Sequence, residues 1–430
     1  MPNTKNMTNG EIDRLGERIK VNGKPSTEDL DLLQEFRKSY KDPLSRVFET
    51  LRSFAIKVDK EAIVTFRIKR IDTIIRKLYR FKDNEEGRMQ LSRMWDIAGC
   101  RCIFNSDDEA LIYRLKNALV KEFGNCKIND HVAIPKQDGY KSLHIYIQDK
   151  IQNKRVEIQI RTTKQHNWAT LVEIIDLIYS TKIKEGSKNT ELQRFLFLFS
   201  KKENLNKDEK TELIKIERKY RIFKRMSKVF SKNYISIRRQ WISQNQNNGS
   251  FYVIEADKDF TSTIDLFRDF EEAENEYYLK YTKNSESNIL LTYIKNAKFK
   301  QISKAYSNYV LTMHSFFEDY KKILEEQVLE KLKSNSFFSL WKSLNRYRKT
   351  TVIYLKNIRS EIKELNNCQK DNSIKKIYKR EWEKDLGKEV STWRNSTNQF
   401  FIQQDKEIKR GGITEFLVAT QIKFLAWQSK

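Results

Sequence analysis

The chain has 430 residues, more than one compact domain usually holds, so two or three domains are expected. Hydrophobic residues at 39% can build real cores, whereas 33% charged residues with 12 Gly and 4 Pro argue against an all-β fold, and no apolar run approaches the ~18 residues of a membrane span. The formal net charge is +25 and sits mainly in the second half, with 33 Lys/Arg against 26 Asp/Glu over residues 1–180 and 50 against 32 over 181–430; that excess suits either a solvated lysine-rich surface or a polyanion partner such as RNA.

The N-terminus lacks the apolar stretch of a secretory signal. Residues 10–58 carry apolar side chains at helical spacing, among them Leu30, Leu33, Phe36, Val47, Leu51 and Phe54. Residues 62–68 are short and apolar, and 71–78 have helical periodicity. Residues 97–104 read as a buried strand. Within it, Cys100 and Cys102 lack the second pair that a zinc site needs, so they read as small core residues, and a reducing cytoplasm fits. An amphipathic helix is predicted over 109–123, strands over 127–134, 142–148 and 154–161, and a helix over 163–179. A polar passage containing Gly186 follows, then an apolar run at 195–199 and a long basic helical stretch at 207–243. The run Ser243-Gln-Asn-Gln-Asn-Asn-Gly-Ser250 predicts a linker or turn. Strands are predicted at 251–255, 262–267 and 288–294, with an acidic helix across 270–280, and from about 309 onward the pattern is helical and rich in aromatics.

These elements predict an α+β chain with five parts. They are an N-terminal helical segment (1–40), a mixed-sheet domain flanked by helices (41–185), a basic helical connector (186–245), a small α/β accessory domain (246–330) and a helical C-terminal region of unassigned role (331–430).

Four short blocks carry chemistry. The first is Arg67-Ile-Lys69, followed by Lys77. The second is Asp96-Ile-Ala-Gly-Cys-Arg101. The third runs Pro135-Lys136-Gln-Asp-Gly139-Tyr140-Lys-Ser142-Leu-His144. The fourth is Val156-Glu157-Ile-Gln159-Ile-Arg161-Thr162. Strand alternation in the fourth block turns Val156, Ile158 and Ile160 inward and sets Glu157, Gln159 and Arg161 on an open face. A solvated sheet face has the same pattern. In the third block Gly139 permits a turn, after which Tyr140, Ser142 and His144 share one side and offer a stacking ring, a hydroxyl and an imidazole. Arg67, Lys69, Lys77 and Arg101 suit phosphate and stacking over a base. Two carboxylates, Asp96 and Glu157, are what a magnesium ion carrying phosphates needs. No glycine-rich phosphate loop is present, so side chains must hold the phosphates.

In this order and spacing the four blocks resemble the synthetase domain of RelA/SpoT-type alarmone synthetases. The resemblance covers about residues 40–180 and rests most on Gly139-Tyr-Lys-Ser-Leu-His144 and Glu157-Ile-Gln-Ile-Arg-Thr162. It implies a nucleotidyltransferase-like mixed sheet and transfer of the β,γ-diphosphate of ATP to a ribose 3′-hydroxyl, releasing AMP. By the same resemblance Arg67 and Arg101 sandwich the adenine, and Lys69 and Lys77 hold the ATP phosphates. Asp96 binds Mg2+, and Glu157 helps hold the metal and activates the 3′-hydroxyl. Tyr140 stacks on the acceptor base, with Lys136, His144, Gln159 and Arg161 nearby.

Further along, Gln165-His166-Asn-Trp168-Ala169 with Glu173 and Asp176 resembles small, often toxic members. The segment 252–255, Ala273 and Tyr277, the segment 288–293 and Ala305-Tyr306-Ser-Asn308-Tyr309 resemble the accessory domain of fused toxin–antitoxin members such as CapRel. The four histidines, His131, His144, His166 and His314, include no His-Asp pair of the kind that the hydrolase domain of bifunctional members uses.

The expectation is a cytoplasmic, Mg2+-dependent GTP pyrophosphokinase of the stringent-response type, making ppGpp or pppGpp from ATP and GDP or GTP. An alternative keeps the chemistry and changes the acceptor to the 3′ end of tRNA, as a toxin that stops translation in phage defence. A non-catalytic RNA-binding regulator is a third reading, from a different class. No membrane is expected. Intramolecular inhibition is expected from residues 250–330 or the final helices lying over the acceptor site, with release by a protein trigger or antitoxin.

Overall fold

The computed structural model describes residues 7–22, 24–80, 89–181, 183, 189–244, 249–256, 262–285, 287–310, 314–334, 337–372, 374–408 and 412–428. Gly186 of the polar passage and residues 245–248 of the expected linker lie outside these. Three helices open the chain: α1 (Asn9–Asn22), α2 (Thr27–Lys38) and α3 (Lys41–Val58). The Ser26 side chain caps α2 by accepting the Asp29 N–H at 3.1 Å. Next come β1 (Ile63–Ile68), α4 (Ile71–Arg80), β2 (Ala98–Phe104), α5 (Ala110–Phe123), β3 (Lys127–Asp130), β4 (Leu143–Gln148) and β5 (Arg155–Thr162). Helices α6 (Thr163–Tyr179), α7 (Thr190–Ser200), α8 (Lys207–Tyr220) and α9 (Ile222–Gln244) follow. The basic stretch at 207–243 is therefore two helices, because Arg221 turns left-handed (φ 54°, ψ 43°) and closes α8 with its own N–H. The chain continues through β6 (Phe251–Ala256), β7 (Ser262–Phe267), α10 (Phe270–Lys283), β8 (Asn288–Tyr293), α11 (Phe299–Ala305), α12 (Ser307–Val310), α13 (His314–Lys333), α14 (Phe337–Lys370), α15 (Lys376–Glu407) and α16 (Ile413–Gln428).

Two compact units result, one of Met1–His166 with Gln244–Ala305 and the other of Asn167–Ser243 with Tyr306–Lys430. The first holds a mixed sheet in the order β3-β4-β5-β2-β1-β8-β6-β7. Strands β2 and β5 run parallel and the other neighbours are antiparallel. This differs from the separate accessory domain expected at 246–330. Strand β8 pairs with β1 through Phe66–Tyr293 and Arg67–Thr292, so β6, β7 and β8 extend the same sheet. Compactness likewise divides the chain at 166, 243 and 305 rather than at 185, 245 and 330. Local patterning specifies which face of a strand is buried but not which edge it joins.

An aromatic seam stabilises the β1–β8 join. The Phe66 and Tyr293 rings stack at 4.7 Å, Phe48 of α3 meets both edge-on, and Phe251 packs on Tyr293 at 4.7 Å. Leu44, Val47, Leu51 and Ala55 of α3, Ile112, Leu115 and Leu119 of α5, and Phe270, Ala273 and Tyr277 of α10 bury the same face of the sheet. Apart from the two alanines, each of these side chains contributes about 2 kcal/mol of burial free energy.

The second unit is helical. Phe223 stacks on Tyr320 at 4.3 Å, Phe317 stacks on Tyr354 at 3.9 Å, and Trp168 donates its ring N–H to the Leu196 carbonyl at 3.0 Å. Among the described residues no helix is long and apolar enough to cross a membrane.

Candidate active site

Alternation along β1, β2, β4 and β5 sends Phe66, Cys100, Cys102, Ile145, Ile147, Ile158 and Ile160 into the helix-covered core. The opposite face carries Arg67, Gly99, Arg101, His144, Tyr146, Glu157, Gln159 and Arg161. The pairing register sets these side by side. Arg67 pairs with Gly99, Gly99 with Glu157, and Arg101 with Gln159, while His144 pairs with Gln159 and Tyr146 with Glu157. Four strands separated in sequence thus contribute to one polar surface.

On one side of that surface lies an ion cluster. Lys69 follows β1, and its N–H is fixed by the Ile97 carbonyl at 2.7 Å. Its ammonium reaches Asp96 Oδ2 at 2.6 Å, and Lys77, from α4, reaches Oδ1 at 2.8 Å. Burial by itself raises the Asp96 carboxyl pKa, but the two lysines outweigh it and hold the group well below the usual carboxylate range. Burial also lowers the Lys69 pKa, opposed by Asp96 and assisted by the positive charges of Lys77 and Arg67. Arg101 donates from Nη1 to the Ala305 carbonyl at 3.0 Å, and His166 donates from Nε2 to the Lys304 carbonyl at 2.9 Å. The C-terminal end of α11 is therefore held against the sheet by two side chains of the predicted synthetase segment.

On the other side runs a chain of hydrogen bonds. Glu157 Oε1 meets His144 Nδ1 at 2.7 Å, and Glu157 Oε2 accepts from the Gln159 amide at 2.9 Å. His144 Nε2 meets the Tyr140 hydroxyl at 2.8 Å, and that hydroxyl accepts from Arg161 Nη2 at 2.6 Å. Arg161, 5% exposed, also donates to Ser142 Oγ at 3.1 Å and Gln159 Oε1 at 3.2 Å. Burial would raise the Glu157 pKa, yet the bond from His144 and the imidazole charge lower it, so Glu157 is ionised at neutral pH. Burial works against the His144 charge, but Glu157 and Tyr140 raise its pKa. Burial would also raise the Tyr140 pKa, but Arg161 and His144 bring it down to about 7. Lys136 Nζ sits 5.1 Å from the Tyr140 ring centroid and the Arg161 guanidinium 5.2 Å. The turn that delivers Tyr140 depends on Gly139, whose φ of 92° disfavours other residues.

The predicted residues thus fall into two groups. Asp96, Lys69 and Lys77 share one ion cluster, with Arg67 close enough to act on Lys69. Glu157, His144, Tyr140, Gln159 and Arg161 form one connected chain, joined by Lys136 at the Tyr140 ring. Arg101 lies on the same face, in register with Gln159. Tyr140 and Ser142 precede β4 rather than lying in it, yet both converge on Arg161. Two residues of the site stand outside the four blocks. Tyr146 sits opposite Glu157, and its hydroxyl is 3.4 Å from His144 Nδ1. His131 packs edge-on against the rings of Tyr140 and His144 at 5.9 and 5.7 Å. Tyr146 follows His144 by two positions, so alternation could have found it; His131 offered no such signal.

The negative charge of Asp96 also acts on Glu157, against its ionisation. The two carboxylates therefore share one electrostatic neighbourhood. Among the described residues no group of three or more His, Cys, Asp or Glu could hold a metal ion. Two carboxylates fit magnesium, which keeps waters and substrate phosphates as its remaining ligands.

Residues 66–184 match the family model described as "Region found in RelA / SpoT proteins". Similar curated proteins include GTP pyrophosphokinase YwaC of Bacillus subtilis (strain 168), 33% identical over 115 residues, which are 24% of this chain and 53% of the relative. Another is GTP pyrophosphokinase YjbM of the same organism, 31% identical over 137 residues, 30% of this chain and 63% of the relative. The chain thus spans less than two thirds of the length of either. Among solved structures, small alarmone synthetase 1 from Bacillus subtilis bound to its product pppGpp aligns over 40% of this chain and 90% of its own, with 23% identity and a TM-score of 0.33. Small alarmone synthetase 2 from the same organism aligns over 38% and 88%, with 26% identity and a TM-score of 0.31.

Proposed function

Because residues 66–184 match the region found in RelA / SpoT proteins, we propose that this chain is a pyrophosphotransferase that moves the β,γ-diphosphate of ATP to the 3′-hydroxyl of GDP or GTP. The observation that carries this reading is the pairing of a lysine-held carboxylate, Asp96, with an ionised one, Glu157, on a polar sheet face that also holds Arg67 and Arg101. The acceptor 3′-oxygen attacks the β-phosphorus of ATP. The bond from that phosphorus to the α–β bridging oxygen breaks, AMP leaves with the oxygen, and Glu157 takes the hydroxyl proton. Arg67 and Arg101 hold the adenine, and Lys69 and Lys77 turn from Asp96 to the phosphates. Lys136, Tyr140, His144, Gln159 and Arg161 receive the acceptor base and ribose. A magnesium ion at Asp96 and Glu157 would neutralise phosphate charge as it develops. The protein's contribution is otherwise positioning and electrostatics, the main needs of phosphoryl-type transfer.

The test is to incubate the full chain and γ-labelled ATP with GDP, GTP, ATP or deacylated tRNA. Label on GDP or GTP is the expected result. Label on tRNA alone overturns the nucleotide reading and leaves the tRNA toxin reading, whereas no transfer to any acceptor favours the non-catalytic regulator or an enzyme held off by its own C-terminal region.

One observation favours the tRNA reading. Helix α14 presents exposed Lys342, Lys349, Lys356, Arg359 and Lys363 at spacings that share one side, with exposed Phe338 and Trp341 stacked at 6.5 Å near its start. The two acids of α14 do not offset this stripe, because Glu361 is buried and Glu364 pairs with Arg239. A basic helix with stacking rings suits a nucleic acid better than a single nucleotide. For inhibition by the C-terminal half, the contact that bears on it lies on the donor side rather than over the acceptor: the Ala305 carbonyl takes one hydrogen bond from the Arg101 guanidinium.

A further inference from the structure

Behind the donor side lies a buried charged cluster that the transfer chemistry does not use. Arg37 of α2 and Glu274 of α10 pair at 3.1 Å, and both side chains are 0% exposed. The Gln34 amide donates to Glu274 Oε2 at 2.7 Å, and the Arg37 guanidinium also bonds Gln34 Oε1. The guanidinium carbon lies 4.3 Å from the centroid of the Tyr277 ring. The cluster ends on one short segment of backbone. Arg37 Nε donates to the Lys69 carbonyl at 2.8 Å, and the Tyr277 hydroxyl accepts the Ile71 N–H at 2.9 Å.

Those backbone groups sit where neither the end of β1 nor the first turn of α4 supplies a partner. A fully buried ion pair is a poor way to gain stability alone, since apolar residues of similar shape often do as well or better. Here Arg37 Nη2 and Glu274 Oε1 are buried without a hydrogen-bond partner, which makes the cluster weaker still as a purely stabilising device. What it does supply is geometry. With the Lys69 N–H on Ile97, the Lys69 carbonyl on Arg37 and the Ile71 N–H on Tyr277, the turn carrying Lys69 is fixed from three directions.

We propose that Gln34, Arg37, Glu274 and Tyr277 are positioning residues that aim Lys69 at the donor phosphates. This rests on the proposed reading of Lys69 as an ATP-phosphate cation. Residues 34, 37, 274 and 277 all lie outside the matched region at 66–184, so helix α10 is part of the donor site's support and not an appendage.

The test uses the full chain and calorimetric binding of a non-hydrolysable ATP analogue, with thermal unfolding measured in parallel. Tyr277→Phe removes only the hydroxyl, and Glu274→Gln keeps the shape of the side chain. Each is expected to weaken analogue binding about tenfold, the size of one misplaced charge-assisted contact, and to leave GDP binding unchanged. In a Lys69→Ala background the same changes should cost nothing further, because their effect passes through Lys69. Phe at 277 retains the ring over Arg37, so this variant decides the matter if Glu274→Gln fails to fold. Unchanged analogue binding in folded Tyr277→Phe overturns the proposal, as does a loss of equal size in the Lys69→Ala background. A wild-type chain that binds no ATP analogue removes the transferase reading and this one with it, whereas a binding wild type with unaffected variants removes only the positioning role.

Discussion

At the scale of single residues, the site turns on how Glu157 and Tyr140 hold their protons. Glu157 is kept ionised by His144 and Gln159 despite its burial. Glu157→Gln keeps the shape and removes the proton acceptor and a magnesium ligand, so transfer should fall about 10³-fold. Single-turnover transfer from labelled ATP checks this, and a wild-type rate in the variant refutes the assignment. Tyr140 gives a pH signature. Its folded value of about 7 lies below its ordinary value of 10.0, so between these values the folded state binds fewer protons than the unfolded one. Stability relative to Tyr140→Phe should therefore rise as pH rises through that window, and the gain should be lost as pH falls through 7. Tyrosinate absorbance should show an ionisation near neutrality in the wild type that is missing from Tyr140→Phe. Period-two alternation alone makes Glu157, Gln159 and Arg161 legible as one face of a strand. It does not reveal that Arg161 bonds the Tyr140 hydroxyl, because that contact depends on how β4 and the turn preceding it fold back onto β5.

At the scale of elements, the informative feature is the sheet's second half. Each of β6, β7, α10 and β8 was visible in the sequence, because alternation and an acidic capped helix are local signals. Asp269 caps α10 by accepting the Glu271 and Glu272 N–H groups. Membership in the larger sheet was not visible, since nothing local to β8 names β1 as its neighbour. A chain ending at residue 240 should therefore be more than an enzyme freed from restraint. It exposes the β1 edge and the Phe66 side of the seam, and it deletes Glu274 and Tyr277. It is expected to aggregate or to elute as a loose, expanded species by size-exclusion chromatography, and to bind no ATP analogue. A compact, active fragment would show that β6–β8 and α10 are dispensable.

At the scale of the whole molecule, the net charge of +25 is distributed unevenly, and part of it lies in the exposed α14 stripe. If that stripe meets phosphates, RNA affinity should fall steeply as salt rises from about 50 to about 200 mM, and charge reversal at Lys349 and Lys356 should flatten the slope by about one unit per lost contact. Fluorescence anisotropy with a short RNA hairpin measures both. A salt slope unchanged by the reversals would mark the stripe as a solvated surface. The charge excess was plain from composition, but its alignment along one helix needed the helix boundaries.

The β1–β8 seam also imposes a timetable on the birth of the protein. Strand β1 leaves the ribosome long before its partner, and at ~5–20 residues per second Phe66 waits roughly ten seconds or more for Tyr293. For most of that interval the nascent chain lacks both the strand that closes its open edge and the helix that braces Lys69. A ribosome halted between Arg161 and Phe270 therefore leaves behind a polypeptide that carries every residue of the candidate active site but neither the strand nor the helix behind its donor side.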